Sequence, residues 1–290
     1  MKWEGNRESD NVEDRRSSGG GGMPVFGGRS IGIGTIVIAL VGGWVLGINP
    51  LTILGLLSGG GMPAQVQQAP AQRPPADDTM ARFVSTVLAD TEDVWQAVFR
   101  EGGGRYQEPR LVLFRGATPT ACGTGQAAMG PFYCPADQKV YIDLGFYETL
   151  KSRLGAPGDF AQAYVIAHEV GHHVQHLLGI TSKVDQMRGR VSQKEYNAMS
   201  VRLELQADCF AGVWAHHAQN ARQILEQGDV EEAMNAAARI GDDALQRASG
   251  GAVVPDSFTH GSSAQRQRWF HTGLKQGSVQ ACDTFSARSL

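Results

Sequence analysis

The sequence has no excess of basic charge: 26 Lys and Arg stand against 29 Asp and Glu, a formal net charge of −3. Nothing in that balance would neutralise a phosphate backbone, so nucleic acid is not an expected partner. Cysteine is scarce as well. The four present, Cys122, Cys134, Cys209 and Cys282, include no C-x-x-C pair, which argues against a structural zinc site built from paired thiolates. Charge is missing altogether from Ile31 to Ile48, and apolar side chains are nearly missing from residues 1–30.

Residues 1–30 are polar, with Ser17-Ser18-Gly19-Gly20-Gly21-Gly22 at their centre. Too few groups there could offset ordering entropy, and a disordered tail is expected. Arg15-Arg16 follows an Asp and lies far from the apolar run, so a twin-arginine export signal is a poor fit. The run itself, I-G-I-G-T-I-V-I-A-L-V-G-G-W-V-L-G-I, continues past Asn49-Pro50 into Leu51–Leu57. A spanning helix takes about 20 residues and a signal-peptide core 7–15, so residues 31–57 read as a transmembrane anchor. Arg15, Arg16 and Arg29 precede it and only Arg73 closely follows. The positive-inside rule then puts the N-terminus in the cytoplasm and the bulk of the chain outside, as a single-pass cell-membrane protein. Residues 58–78, rich in Gly, Pro and Gln, read as a linker.

With 290 residues, 42% of them hydrophobic, the chain has room for one domain of about 200 residues besides these appendages. It begins near Asp78, a cap for a helix on which Phe83, Val87, Val94 and Phe99 keep helical spacing. Leu111–Phe114 and Lys139–Leu144 read as strands.

The chemistry is concentrated in A-Y-V-I-A-H-E-V-G-H-H-V-Q-H-L-L-G, residues 163–179. His168-Glu169-Val170-Gly171-His172 spells H-E-x-x-H, and on a helix residues four apart share a face about 6 Å apart along the axis. Both imidazoles can then reach one zinc ion. Glu169 borders that face without being a ligand, and is placed to take a proton from water at the metal. Ala163, Ala167, Val170, Val174 and Leu177 form an apolar stripe beside it. Pro157-Gly158-Asp159 marks the start of this helix and Gly179 its stop.

A second helix opens at Ser192 with Glu195, a capping box, and carries Glu204 and Asp208 four residues apart on one face. Glu204 is the candidate third ligand. Asp208 is the candidate acceptor for the free ring N–H of a ligand histidine. The elongated H-E-x-x-H-x-x-G-x-x-H pattern fails at Gln175 and Leu178. His176 would lie about 12 Å along the helix from His168. His173 and His176 read as rim or solvated residues, and His216, His217 and His271 have no identifiable partner. Asp229 with Glu232 suggests a further capping box, and Asp242-Asp243 reads as a structural or solvated face rather than a second acidic site.

The strings H-E-V-G-H-H-V-Q, E-L-Q-A-D-C-F-A-G-V-W, G-P-F-Y-C-P-A-D-Q-K-V-Y-I-D-L and F-T-H-G-S-S-A-Q-R-Q-R-W-F, together with S-D-N-V-E-D-R-R near the start, resemble the bacterial neutral zinc metallopeptidase family: membrane-anchored, gluzincin-like proteins. The resemblance runs nearly end to end. It implies an α+β fold, with a mostly helical zincin-like domain over 79–290 and a small antiparallel sheet, preceded by one transmembrane helix. It also implies a single catalytic Zn2+ and a polypeptide substrate. Related H-E-x-x-H peptidases bring a late His, Tyr or Arg to stabilise the oxyanion, which makes His260 the candidate here and Arg266 the lesser one.

An even cysteine count in an exported domain suggests disulfides. Cys122 and Cys134 bracket a short glycine-rich loop, and Cys209–Cys282 is the complement; three pairings are formally possible. The functional expectation is a zinc endopeptidase of the cell envelope, its water activated by Glu169. The alternative is a non-catalytic, zinc-stabilised envelope scaffold. Both hold the metal, and only hydrolysis needs Glu169.

Overall fold

Helices supply most of the core, and their ends follow local chemistry. The computed structural model describes residues 1–17, 72–126, 130–152, 158–248 and 253–290. The expected anchor 31–57 and most of the expected linker lie outside the described residues. Among the described residues no helix is long and apolar enough to cross a membrane.

Asp78 caps α1, Thr79–Glu101, by accepting from the Ala81 N–H, and the helix buries Phe83, Val87, Val94 and Trp95. α2, Gly145–Ser152, is short. The H-E-x-x-H helix, α3, runs Asp159–Leu177 and is followed by Gly179 at φ 72°, the left-handed stop glycine permits. After α4, Ile180–Asp185, the long α5, Gln193–Arg222, opens on the expected Ser192–Glu195 capping box. α6, Asp229–Arg239, starts after Gly228 with no side-chain cap. The box expected there is not formed, because Asp229 turns to the Met1 amino group, 3.3 Å away, and to the Glu226 N–H. α7 is Asp242–Ala248, and α8, Ser263–Gln276, is capped reciprocally by Ser262 and Gln265.

The main sheet contains β1 Val12–Asp14, β2 Arg110–Phe114, β5 Phe132–Cys134 and β6 Lys139–Asp143, in the order β1-β2-β6-β5. β3 Ala117–Thr120 and β4 Gly123–Gln126 form a separate hairpin. The expected antiparallel sheet is therefore corrected to a mixed one. β6 pairs parallel with β2, Leu111 opposite Val140 and Leu113 opposite Ile142, and antiparallel with β5. The β3–β4 hairpin and β5 intervene between β2 and β6 in sequence, long enough for the crossover that parallel pairing requires. Val140, Tyr141, Ile142 and Asp143 are all buried, as befits a strand with a neighbour on each side.

The tail expectation also needs correction. Residues 1–17 are not disordered: β1 pairs parallel with β2, Val12 opposite Leu111 and Asp14 opposite Leu113. Glu13 is buried and accepts from Lys139 Nζ at 2.9 and 3.0 Å, from Arg15 at 2.8 Å and from Arg110 at 3.1 Å. Burial alone would raise its carboxyl, but the hydrogen bonds from Lys139, Arg15 and Arg110 outweigh that and hold it at about 2. Ordering entropy is offset by distant partners that this polar segment does not itself contain.

Both disulfides suggested by the cysteine count are present, Cys122–Cys134 and Cys209–Cys282. The first ties the β3–β4 turn to β5. The second ties α5 to the C-terminal 310 helix Val279–Cys282.

Candidate metal centre

The three candidate donors come together because α3 and α5 pack closely. Gly171, inside H-E-x-x-H, faces α5: a Cβ there would lie 3.0 Å from the Ala207 carbonyl oxygen and 3.2 Å from its Cα. Glycine at this position lets Glu204 come up to the histidine face. Ligand atoms of His168, His172 and Glu204 all lie within 4.8 Å of one another. His168 Nε2 is 3.2 Å from Glu204 Oε2, and His172 Nε2 is 3.5 Å from Glu204 Oε1.

The distal nitrogens are held from behind. His168 Nδ1 lies 2.8 Å from Asp208 Oδ1, and His172 Nδ1 lies 2.9 Å from Gln175 Oε1. Each contact presents Nε2 to the common centre and fixes the tautomer a metal needs. Gln175 is itself fixed, donating to the Leu203 carbonyl at 2.7 Å and to Gln206 Oε1 at 3.1 Å. Asp208 is fully buried. It accepts from Arg266 Nε and Nη2, both at 2.8 Å, and from the Tyr164 hydroxyl. Arg266 reaches it because α8 packs on α5 through Gly273, where a Cβ would collide with the Cys209 carbonyl oxygen.

Electrostatics follow this arrangement. Burial would raise Asp208, but the Arg266 guanidinium and His168 outweigh it and hold the carboxyl at about 2. Burial would lower His168, but Asp208 and Glu204 carry it up to about 9. His172 is raised against burial by Glu204, and Glu204 is held well below the carboxylate range by the two imidazoles. The pocket thus favours positive charge strongly. Glu169 differs: burial raises its carboxyl, only partly offset by His172 and His168. Two imidazoles and one carboxylate, pre-oriented in a pocket that favours a cation, fit zinc with a position left open.

The centre opens onto a cleft of about 1030 Å³ lined by Phe132, Tyr133, His168, Glu169, His172, Glu204, His260 and Arg266 among others. His260 reaches this wall on a loop held by Asp242, whose Oδ2 accepts from the Thr259, His260 and Gly261 N–H groups. Its Nδ1 lies 3.2 Å from Asp242 Oδ1, and that hydrogen bond raises its pKa. Asp243 instead accepts from the Ser263 N–H and pairs with Arg247, so both acids serve the loop, as the sequence suggested.

Other histidines lie outside the centre. His173 is not a rim residue but fully buried, between the Tyr133 hydroxyl at 3.0 Å and the Gln107 carbonyl at 2.6 Å. Burial lowers it to about 4. His216 and His217 contact the Leu274 and Gly277 carbonyls. Gln175 and Tyr164 were not anticipated. Gln175, three residues past His172, has a helical spacing that could have flagged it.

Two imidazoles from one turn of a helix and a carboxylate from the next long helix, with a second glutamate beside them, are a candidate donor set of the kind a zinc metallopeptidase requires. The chain belongs to the family described as "Putative neutral zinc metallopeptidase", which it matches over residues 1–285. It is 53% identical over 292 residues to the Escherichia coli K12 protein "Uncharacterized protein YpfJ", covering 98% of this chain and 99% of that one. It is 42% identical over 221 residues to the Mycobacterium tuberculosis H37Rv protein "Uncharacterized protein Rv2575", covering 72% and 73%. No solved structure matches.

Proposed function

We propose that the protein is a zinc-dependent endopeptidase that hydrolyses peptide bonds in extended segments of proteins at the cell envelope. The observation that carries this reading is Glu169, a buried carboxyl of raised pKa on the cleft wall beside the three donors. His168, His172 and Glu204 would hold zinc. When bound, the ion supplies Lewis acidity, lowering the pKa of a ligating water towards about 7 and polarising the scissile carbonyl.

Glu169 accepts the proton of the attacking water and returns it to the leaving amine, a transfer its raised pKa favours. Asp208, kept anionic by Arg266, orients His168, and Gln175 orients His172. His260 is offered as the donor to the oxyanion that develops on the carbonyl, with Asp242 holding its ring. Among the described residues β5 is an edge strand of the main sheet, and it lines the cleft. An extended substrate can add to its outer edge through main-chain hydrogen bonds, with Phe132 and Tyr133 contacting side chains. The two disulfides support an oxidising compartment for the domain.

The test compares full-length protein with its Glu169→Gln form on an unfolded protein substrate, with zinc content measured in both. Turnover in the first and none in the second, at equal zinc, is the expected result. Equal turnover in both refutes Glu169 as the base, and none in either when zinc is bound refutes hydrolysis and leaves a metal-stabilised scaffold.

A further inference from the structure

The charged side chains on the wall of the cleft are already committed. Arg266 is buried against Asp208 and contacts its two oxygens at 2.8 Å. His260 has Asp242 beside its ring at 3.2 Å. Asp143 accepts from the Gly116 N–H at 2.7 Å and from the Gly145 N–H at 2.8 Å. His168, Glu169, His172 and Glu204 belong to the centre itself. Even the Tyr133 hydroxyl is paired inward, with His173 Nδ1 at 3.0 Å. Among the described residues of the wall, no cation is left for a terminal carboxylate and no acid outside the centre is left for a terminal ammonium.

Much of the rest of the wall is apolar. Phe132 on β5, Phe146 on α2, Val165 on α3, Leu203 on α5, Ile240 just after α6 and Leu245 on α7 all line the cleft. Leu245 is 43% exposed, and Val253 and Val254 are 39% and 48% exposed. The Val254 N–H donates to Gln246 Oε1 at 2.8 Å, which ties that pair to α7 next to Leu245. These three are half of the six large apolar side chains exposed among the described residues, so exposed apolar surface is gathered around α7 instead of scattered, the mark of an interaction site. A charged side chain entering here would give up water for no partner, whereas a large apolar one would bury its area. Both effects select in the same direction.

We propose that the cleft takes internal polypeptide segments whose residues around the scissile bond are large and apolar, received by Phe132, Phe146, Leu203 and Leu245, and that it reads neither chain terminus. Folded proteins keep such segments buried, so the substrates are unfolded or partly unfolded chains. The inference rests on the peptidase reading for what occupies the cleft, but its test is binding, which needs no turnover.

Full-length Glu169→Gln protein, whose apolar wall is intact, is titrated by calorimetry with zinc bound and again with a chelator. The ligands are acetylated, amidated peptides of one polar, unstructured sequence carrying at their centre a pair of Phe, of Asp or of Lys, together with the Phe peptide left uncapped. The Phe peptide should bind about tenfold more tightly than either charged one, the order of factor that burying one apolar side chain gives, in both metal states and with or without caps. Equal or tighter binding of a charged peptide overturns the inference, as does absence of Phe-peptide binding, a need for a free terminus, or a preference that vanishes with the chelator and so belongs to the ion. Leu245→Lys, at a partly exposed position, should cut the Phe preference and raise the affinity for the Asp peptide, and Phe146→Lys should do the same from α2. An unchanged preference in both removes these residues from recognition and overturns the assignment to this wall. Wild-type turnover with charge-indifferent binding sinks this inference alone, whereas Phe-selective binding without turnover sinks hydrolysis and leaves the inference standing.

Discussion

Asp208→Asn is the perturbation whose size the structure sets most clearly. The carboxylate is fully buried and receives four donors: Arg266 Nε and Nη2 at 2.8 Å, His168 Nδ1 at 2.8 Å and the Tyr164 hydroxyl. An amide keeps one acceptor oxygen, turns a donor group towards donors, and leaves the guanidinium of Arg266, itself buried, without its counter-charge. Removing one partner from a buried ion pair costs about 3–5 kcal/mol. In a domain of this size each kcal/mol moves the melting temperature by about 2–4 °C, so a fall of roughly 6–20 °C is expected. Thermal unfolding should be followed by circular dichroism with a chelator present, so that metal affinity does not enter. Tyr164→Phe in the same assay removes the hydrogen bond donated to Asp208, about 1.5–3 kcal/mol, together with the longer one accepted from Arg266 Nη2 at 3.3 Å. A shift below about 2 °C for Asp208→Asn would refute the reasoning that this carboxylate joins α3, α5 and α8.

Three further outcomes follow from the same structure. The Glu13 carboxyl is held at about 2 instead of 4.5; because the folded value is depressed, its contribution, on the order of 3 kcal/mol, is present above about pH 4.5 and lost as pH falls towards 2. Denaturant titrations across that window should show Glu13→Gln with a flatter acid limb than the wild type, and parallel limbs would count against the β1 cluster. Opening Cys209–Cys282, which closes a separation of 73 residues, should cost about 4 kcal/mol, and opening Cys122–Cys134, with 12, about 3; equilibrium unfolding of the two Cys-to-Ser pairs checks the order. His260→Ala should lower kcat on an unfolded protein substrate while leaving zinc content and KM nearly unchanged, and an unaltered kcat would remove it from the chemistry.

Much of the centre was legible because its information is local. H-E-x-x-H is set by one helical turn, Ser192 and Glu195 announce α5, and Glu204 and Asp208 are four apart on it. What could not be read is what distance supplies. Asn11–Arg16 is polar and looks unable to fold, yet Glu13 finds Lys139 and Arg110 about a hundred residues away and more. β5 has three residues, too few for a periodic signal, though it is the edge that faces the cleft. By sequence Arg266 stands only as the lesser oxyanion candidate that the resemblance implies, and nothing there marks it as a partner of Asp208. Only the close approach at Gly273 buries it against Asp208. The mixed sheet has the same origin, since strand direction is settled by the route of the crossover, not by the strands.

The account rests on three side chains holding one ion, and zinc content tests that most directly. Full-length protein and its Glu204→Ala form are purified side by side and measured by atomic emission after identical dialysis. One zinc per chain in the wild type and none retained by Glu204→Ala is the predicted result. Stoichiometric zinc in both would show that the carboxylate from the second helix is not a ligand, and would contradict the account.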